Sequence, residues 1–225
     1  MTCARFLLVV TLPLLLCWTA AAEPSLLGLS GLMLSPTVDI LPEGAWNIGL
    51  NTSELEDFET VNYYGNYGIG SNTEVGLLLL RADLSVKDKA VKRRTDETFL
   101  SIKRAFILPE GNKPGFAVGV FDITDEVETT VFAVATWELG RQVGEVDGRA
   151  LHLLNLHAGF GSGQLEDLFF GARARLGDKV ELMGEHVDGD WNVGARARPV
   201  RGLTVDAGFI DLQDLALNVS YGQGF

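Results

Sequence analysis

Four charged residues in the last third of the 225-residue chain are spaced so that they could meet: Arg175, Glu181, Arg196 and Asp206. Each sits in a stretch where apolar residues alternate with polar or small ones, which is the signature of a strand with two different faces. Asp188-Gly189, between Val187 and Asp190, has the composition of a two-residue type I′ turn. That turn sets His186 against Trp191, Glu185 against Asn192 and Glu181 against Arg196. A three-residue loop, Gly177-Asp178-Lys179, sets Arg175 opposite Glu181. A second, Val200-Arg201-Gly202, pairs Pro199 with Leu203 and sets Arg196 opposite Asp206. The outcome is one row of alternating sign across four neighbouring strands, each cross-strand pair contributing a few tenths to ~1 kcal/mol. The row reads as a salt-bridge ladder filling a narrow interior, or as a path on which Arg173, Arg175, Arg196 and Arg198 contact an anionic saccharide. The interleaved acids favour the ladder.

Other chemistry has less to stand on. A hydrolase acting on lipid would need a nucleophile, a histidine and an orienting polar group at one level. The histidines are His152, His157 and His186. His157 shares a face with Asn155, but the nearby serine, Ser162, falls in the following loop. His186 lies on the apolar face opposite Trp191, an interfacial aromatic position. No histidine spacing points to a metal, the acidic stretches DFET and DEVE lack calcium-ligand spacing, and no cofactor motif appears. The chain reads as a protein that is not an enzyme, with a lipid hydrolase as the alternative.

The elements that carry these residues are strands throughout. Period-two stretches run near 44–53, 61–70, 73–82, 97–107, 114–123, 129–139, 149–161, 168–176, 180–187, 190–199, 203–209 and 215–225. That makes twelve, most of them close to the ~9–11 residues of a tilted membrane strand. One parity collects Trp46, Ile48 and Leu50, or Leu203, Val205, Ala207 and Phe209. The other collects Asn47, Gly49 and Asn51, or Thr204, Asp206 and Gly208. A β-sandwich would bury the apolar face, whereas a membrane barrel turns it to lipid around a polar lumen. The connection 140–148 is long for a turn on the inner side.

The ends favour the barrel. Residues 1–22 have one charge, Arg5, an apolar core from Phe6 to Trp18 and Ala20-Ala21-Ala22 before Glu23, the pattern of a cleaved signal peptide. Both cysteines, Cys3 and Cys17, lie within it, so the exported chain must hold together without disulfides. Without Arg5 it carries 17 basic side chains against the same 30 acidic ones, a net of −13 rather than −12, which argues against nucleic acid as a partner. No later segment approaches the ~20 apolar residues of a membrane helix. The expectation is an all-β transmembrane antiparallel barrel of about 12 strands over 44–225. Residues 23–43 would be a periplasmic lead-in, a lumenal plug or an extra strand. The partners would be outer-membrane lipid and the barrel-assembly machinery.

Several short motifs add a resemblance. GLSGLMLSPTVDILPEGAWNIGL, TEVGL, FFGARARL and GEHVDGDWNVGARARP are similar to stretches of YjbH-type outer-membrane proteins. The resemblance implies an outer-membrane barrel with a passive or accessory role in exopolysaccharide export, and an anionic polysaccharide as a further partner. The end of the chain, LALNVSYGQGF, resembles the assembly signal of outer-membrane barrels. Its terminal Phe225 is preceded at alternate positions by Tyr221, Val219 and Leu217. Deleting Phe225 is expected to leave the stability of the folded protein nearly unchanged while sharply lowering the amount recovered in the membrane fraction. Quantitative blotting of that fraction, set beside the unfolding midpoint of the purified variant, checks both halves.

Overall fold

Alternation of side-chain polarity along the chain produces a run of antiparallel strands joined mostly by tight turns. In a computed structural model, residues 22–55, 58–85, 92–111, 113–146 and 149–223 are described. The first six strands are β1 (Trp46–Leu55), β2 (Phe58–Gly70), β3 (Thr73–Ser85), β4 (Lys92–Ile107), β5 (Gly115–Phe121) and β6 (Thr130–Val146). The second six are β7 (Arg149–Gly161), β8 (Asp167–Leu176), β9 (Val180–Val187), β10 (Asp190–Val200), β11 (Leu203–Ile210) and β12 (Asp214–Gln223). Each strand pairs with its sequence neighbours, and β12 pairs back with β1 from Trp46↔Gln223 to Ser53↔Ala216. Twelve strands of the described residues therefore form a closed antiparallel barrel. Closure removes the unpaired edges that an open sheet or a sandwich would keep.

The pleat sorts the two faces as the sequence parity requires. Ile48, Leu77, Val131, Leu182, Val193, Phe209 and Leu217 are exposed on the outside. Asn47, Asn51, Glu74, Asn192, Arg196 and Thr204 are buried on the inside. An apolar exterior around a polar interior is the arrangement of a membrane-spanning barrel. No described helix is long and apolar enough to cross a membrane, so any crossing is made by strands.

Two connections differ from the sequence reading. The stretch 140–148 is not a long turn: β6 continues to Val146 and pairs with β7 as far as Val146↔Arg149, through register shifts between Leu139 and Gln142 and between Gln142 and Gly144. The β10–β11 turn is shorter than expected. Val200, not Pro199, pairs with Leu203, leaving Arg201-Gly202 as the turn. A register shift between Ala197 and Val200 offsets the difference, so Arg196 still faces Asp206. The irregularity contains Pro199, which has no N–H to give to the ladder and is tolerated at a bulge. The β9–β10 turn has Asp188 and Gly189 at φ 51° and 88°, as a type I′ turn demands. In the β5–β6 loop, Asp122 accepts the N–H groups of Val127, Glu128 and Glu126 at 2.8, 3.0 and 3.2 Å. Burial works against its charge, but these bonds and the Thr124 hydroxyl hold its carboxyl below the ordinary value.

Inside the barrel, three aromatic rings lie across glycines of the neighbouring strand. The cross-strand pairs are Tyr64 with Gly49, Phe132 with Gly119 and Phe169 with Gly159. A β-carbon added at these glycines would come 2.3 Å from the Tyr64 hydroxyl, 2.4 Å from the Phe132 ring and 2.1 Å from the Phe169 ring. The missing side chain is thus the space the ring fills, a device that covers a weak strand position with apolar surface. Gly159→Ala is expected to destabilise the barrel by about 1–3 kcal/mol, the range for forced overpacking. Adding Phe169→Leu should recover part of the loss, and urea titration of the wild type and the two variants followed by the heat-dependent shift in gel migration checks this.

Candidate functional site

The interior of the barrel holds a segment of its own chain. Residues 22–45 precede β1, form no regular element beyond isolated bridges Pro24↔Ser30 and Gly31↔Pro36, and are almost entirely buried. A segment of this kind can be buried only if its backbone N–H and C=O groups find partners elsewhere. Some find one another, as in Leu26 N–H to Met33 O at 2.7 Å and Gly31 N–H to Glu23 O at 2.9 Å. The barrel wall supplies many of the others.

Two carboxylates take the donors. Glu74 on β3 accepts the N–H and hydroxyl of Ser30 at 2.8 and 2.6 Å and the N–H of Leu41 at 3.0 Å. Glu185 on β9 accepts the N–H of Leu34 at 2.7 Å and the N–H and hydroxyl of Ser35 at 3.0 and 2.5 Å. Asn192 donates to the same carboxylate at 3.1 Å. Wall side chains also serve the carbonyls. Asn51 donates to Leu26 O at 2.9 Å, Asn66 to Gly28 O at 2.6 Å and Lys103 to Ser30 O at 2.5 Å. Arg196 reaches Pro24 O, Gly31 O and Leu32 O at 2.9, 3.1 and 3.3 Å. These partners come from β1, β2, β3, β4, β9 and β10, so the segment is held from around the ring. Apolar side chains key into glycine notches. A β-carbon at Gly171 would meet Leu32 at 2.5 Å, one at Gly76 would meet Leu29 at 2.9 Å, and those at Gly194 and Gly208 would meet Met33 at 2.7 and 2.5 Å.

The four-residue row lies on this wall. Arg175 Nε is 2.6 Å from Glu181 Oε1, and Arg196 Nε is 2.9 Å from Asp206 Oδ1. The middle link is looser: Glu181 and Arg196 are cross-strand partners, yet their side chains are 4.0 Å apart. Arg196 turns instead to Asp206, to the segment's carbonyls and to Glu23 at 3.2 Å. Arg198 forms a two-pronged contact with both carboxylate oxygens of Glu23 and a 2.9 Å bond to Glu181. Arg173 bonds Asp39 at 2.8 Å. The sequence reading placed these arginines but not their partners in the segment, Glu23 and Asp39, nor the two anchoring carboxylates. The polar parity marks Glu74 and Glu185 as lumenal, but nothing local says what an inward carboxylate will bond.

The remaining candidates separate. Leu217, Val219 and Tyr221 project from the outer face of β12, and Phe225 lies outside the described residues. His186 is stacked on Phe170 at 5.1 Å and edge-on to Trp191 at 5.1 Å, an aromatic cluster of the outer face. His157 does have a hydroxyl partner, Thr136, at 2.8 Å. The sequence reading missed it because it looked for serine. The pair is sealed beneath the segment, since Thr136 Oγ1 also accepts Val38 N–H at 3.2 Å, and a substrate carbonyl could not reach it. Among the described residues, no group of three His, Cys, Asp or Glu side chains is placed to hold a metal.

A closed twelve-stranded barrel, apolar outside and polar within, is an outer-membrane-type β-barrel. No family model matches the chain, and no curated protein matches it. Among solved structures it is similar to the Acinetobacter baumannii outer membrane protein Omp33, at 14% identity and a TM-score of 0.44, over 80% of this chain and 98% of that one. A mutant of Rh. blastica porin matches at 12% identity and a TM-score of 0.34, over 75% of this chain and 56% of that one. This chain thus spans little more than half the length of the porin it matches.

Arg196 tests whether the wall and the segment share one network. Arg196→Ala takes the arginine from Asp206, which keeps the Asn218 amide, and one of two arginines from Glu23, which keeps Arg198. Breaking a buried pair costs about 3–5 kcal/mol where water cannot enter, and the remaining partners reduce that loss. The variant is expected to unfold at a lower temperature than the wild type, whereas Lys113→Ala, at an exposed turn, should not. Thermal unfolding in detergent followed by circular dichroism makes the comparison.

Proposed function

We propose that the protein resides in the outer membrane as a barrel sealed by its own residues 23–43, with a passive or accessory role and no catalytic activity. Export would follow from a signal peptide at residues 1–22, cleaved before Glu23. One observation carries the reading: the lumen is lined with hydrogen-bonding groups that match the backbone of this segment. The fit is close. A cavity beside Met33, lined by Leu26, Leu32, Met183, Asp206 and Ala216 among others, measures about 10 Å³, no larger than a single water needs.

The motifs that resemble YjbH-type proteins support a role beside exopolysaccharide export, with an anionic polysaccharide as partner. Outer-membrane lipid would cover the apolar outer face, and the assembly machinery would read the C-terminal strand.

Reconstituted in a planar bilayer, the wild-type protein is expected to conduct ions barely above the bare membrane. Deleting residues 25–40, which keeps Leu41 to Ala45 ahead of β1, should give discrete conducting steps. A large, stable conductance of the wild type would overturn the sealed-barrel reading.

A further inference from the structure

The segment in the lumen has two carboxylates between Glu23 and Leu41, namely Glu23 itself and Asp39. Both meet arginines of the same wall. Arg198 grips both oxygens of Glu23 in a fork, with Arg196 adding a bond at 3.2 Å. Arg173, two strands away on β8, holds Asp39 at 2.8 Å. The wall's own acids are arranged differently. Glu181 and Asp206 are engaged by Arg175 and Arg196 of the wall itself. Lys103 faces Glu74 across the β3–β4 ladder, so the far side of the lumen is balanced within itself. The wall formed by β8 to β11 carries four arginines and three buried acids, Glu181, Glu185 and Asp206, and Glu185 is turned to the N–H groups of Leu34 and Ser35 and to Asn192 instead of to an arginine.

We propose that Arg173, Arg196 and Arg198 form a carboxylate-binding site whose resting occupants are Glu23 and Asp39, and that a ligand bearing several carboxylates takes their place as the segment leaves. The inference rests on the sealed-barrel reading and adds to it the class of ligand. A guanidinium fork takes carboxylate and phosphate oxygens alike, and the groups these arginines already hold are carboxylates. The two resting carboxylates lie at different places along the wall, Glu23 beside the β8–β9 turn, where Arg198 also donates to Asp178 O at 3.3 Å, and Asp39 beside Thr136 and His157. A ligand spanning both must therefore be extended and carry more than one acid group. The segment can swing out about its attachment to the barrel at Gly44 and Ala45, made by Gly44 N–H to Gly68 O and Gly68 N–H to Ala45 O, both 2.9 Å.

The exported chain has no cysteine, so a single thiol can report on the segment. Ser25 is buried, and Ser25→Cys in the exported chain, from which Cys3 and Cys17 are removed with residues 1–22, gives a thiol that a membrane-impermeant maleimide reaches only when the segment leaves. Citrate, a tricarboxylate, is the probe, with sodium chloride and sodium sulfate at matched ionic strength as comparisons. Citrate is expected to speed labelling several-fold over chloride, with sulfate close to chloride. In the background of Arg173→Lys and Arg198→Lys, which keeps the charges and removes the forks, citrate should lose its advantage while the heat-dependent gel shift shows the barrel intact. Slow labelling that is equal in all three salts overturns the proposal and leaves the sealed barrel standing. Equal acceleration by sulfate overturns the choice of carboxylate. Rapid labelling in every salt overturns both the proposal and the sealed barrel.

Discussion

A chain segment without regular structure can lie in a closed interior only if its N–H and C=O groups are matched one by one, because an unmatched buried group costs as much as a lost hydrogen bond. That requirement accounts for much of what the lumen contains. Glu74 and Glu185 are acceptors for consecutive donors of the segment, and Asn51, Asn66, Lys103 and Arg196 are donors for its carbonyls. It also accounts for several inward glycines. Leu29, Leu32 and Met33 need room at the wall, and Gly76, Gly171, Gly194 and Gly208 provide it. Polar lining and glycine notches are two parts of one requirement, which is to hold a piece of irregular backbone away from water.

The charges obey a second constraint. Buried ions lose hydration that their partners only partly restore, so a lumen with this many charges must pair them in three dimensions rather than along one row. Arg196 shows how. On one side it faces Glu181 of β9 and on the other Asp206 of β11, but it bonds Asp206 closely, leaves Glu181 at 4.0 Å and gives its remaining donors to Glu23 and three carbonyls. Glu181 is served instead by Arg175 and Arg198. The ladder is thus a network with the segment woven into it.

What the sequence made legible follows from which interactions are local. Period-two patterning needs only neighbours, and it located all twelve strands and their faces. Register needs a short turn of known geometry. Around Asp188-Gly189 and Gly177-Asp178-Lys179 such turns exist, and Glu181 pairs with Arg196 and Arg175 in the expected register. At β10–β11 the turn was one residue shorter than its composition implied, and the bulge at Arg198-Pro199 restored the pairing of Arg196 with Asp206. At β3–β4 the long connection carries no turn rule, so the facing of Glu74 and Lys103 had no local signal. The segment before β1 was the least legible. It has no period, and its bonds run to residues more than a hundred positions away, as Leu34 to Glu185 and Pro24 to Arg196 do.

The same geometry bears on how tightly the segment is held. In an antiparallel barrel every turn that follows an even-numbered strand lies on one rim, and β1 begins there. Glu23 lies near the β8–β9 turn and Gly44 near the β2–β3 turn, so the segment enters and leaves by that single rim. It crosses no strand and threads no loop, and its withdrawal breaks no ladder of the barrel. Each hydrogen bond it would give up is worth only about 0.5–1.5 kcal/mol net, because water entering the vacated lumen would replace it. The apolar contacts are the larger hold, with Leu29, Val38 and Ile40 in one cluster with the wall and Leu26, Leu32 and Met33 in another, while the ion pairs exchange one set of partners for hydration. A wholly apolar plug would be held more firmly, since replacing buried ion pairs by packed hydrophobic side chains is often neutral or stabilising. A segment tied at one rim, whose polar contacts alternate with buried leucines, is therefore suited to a seal that forms spontaneously and whose charged contacts yield to a competitor with the same chemistry.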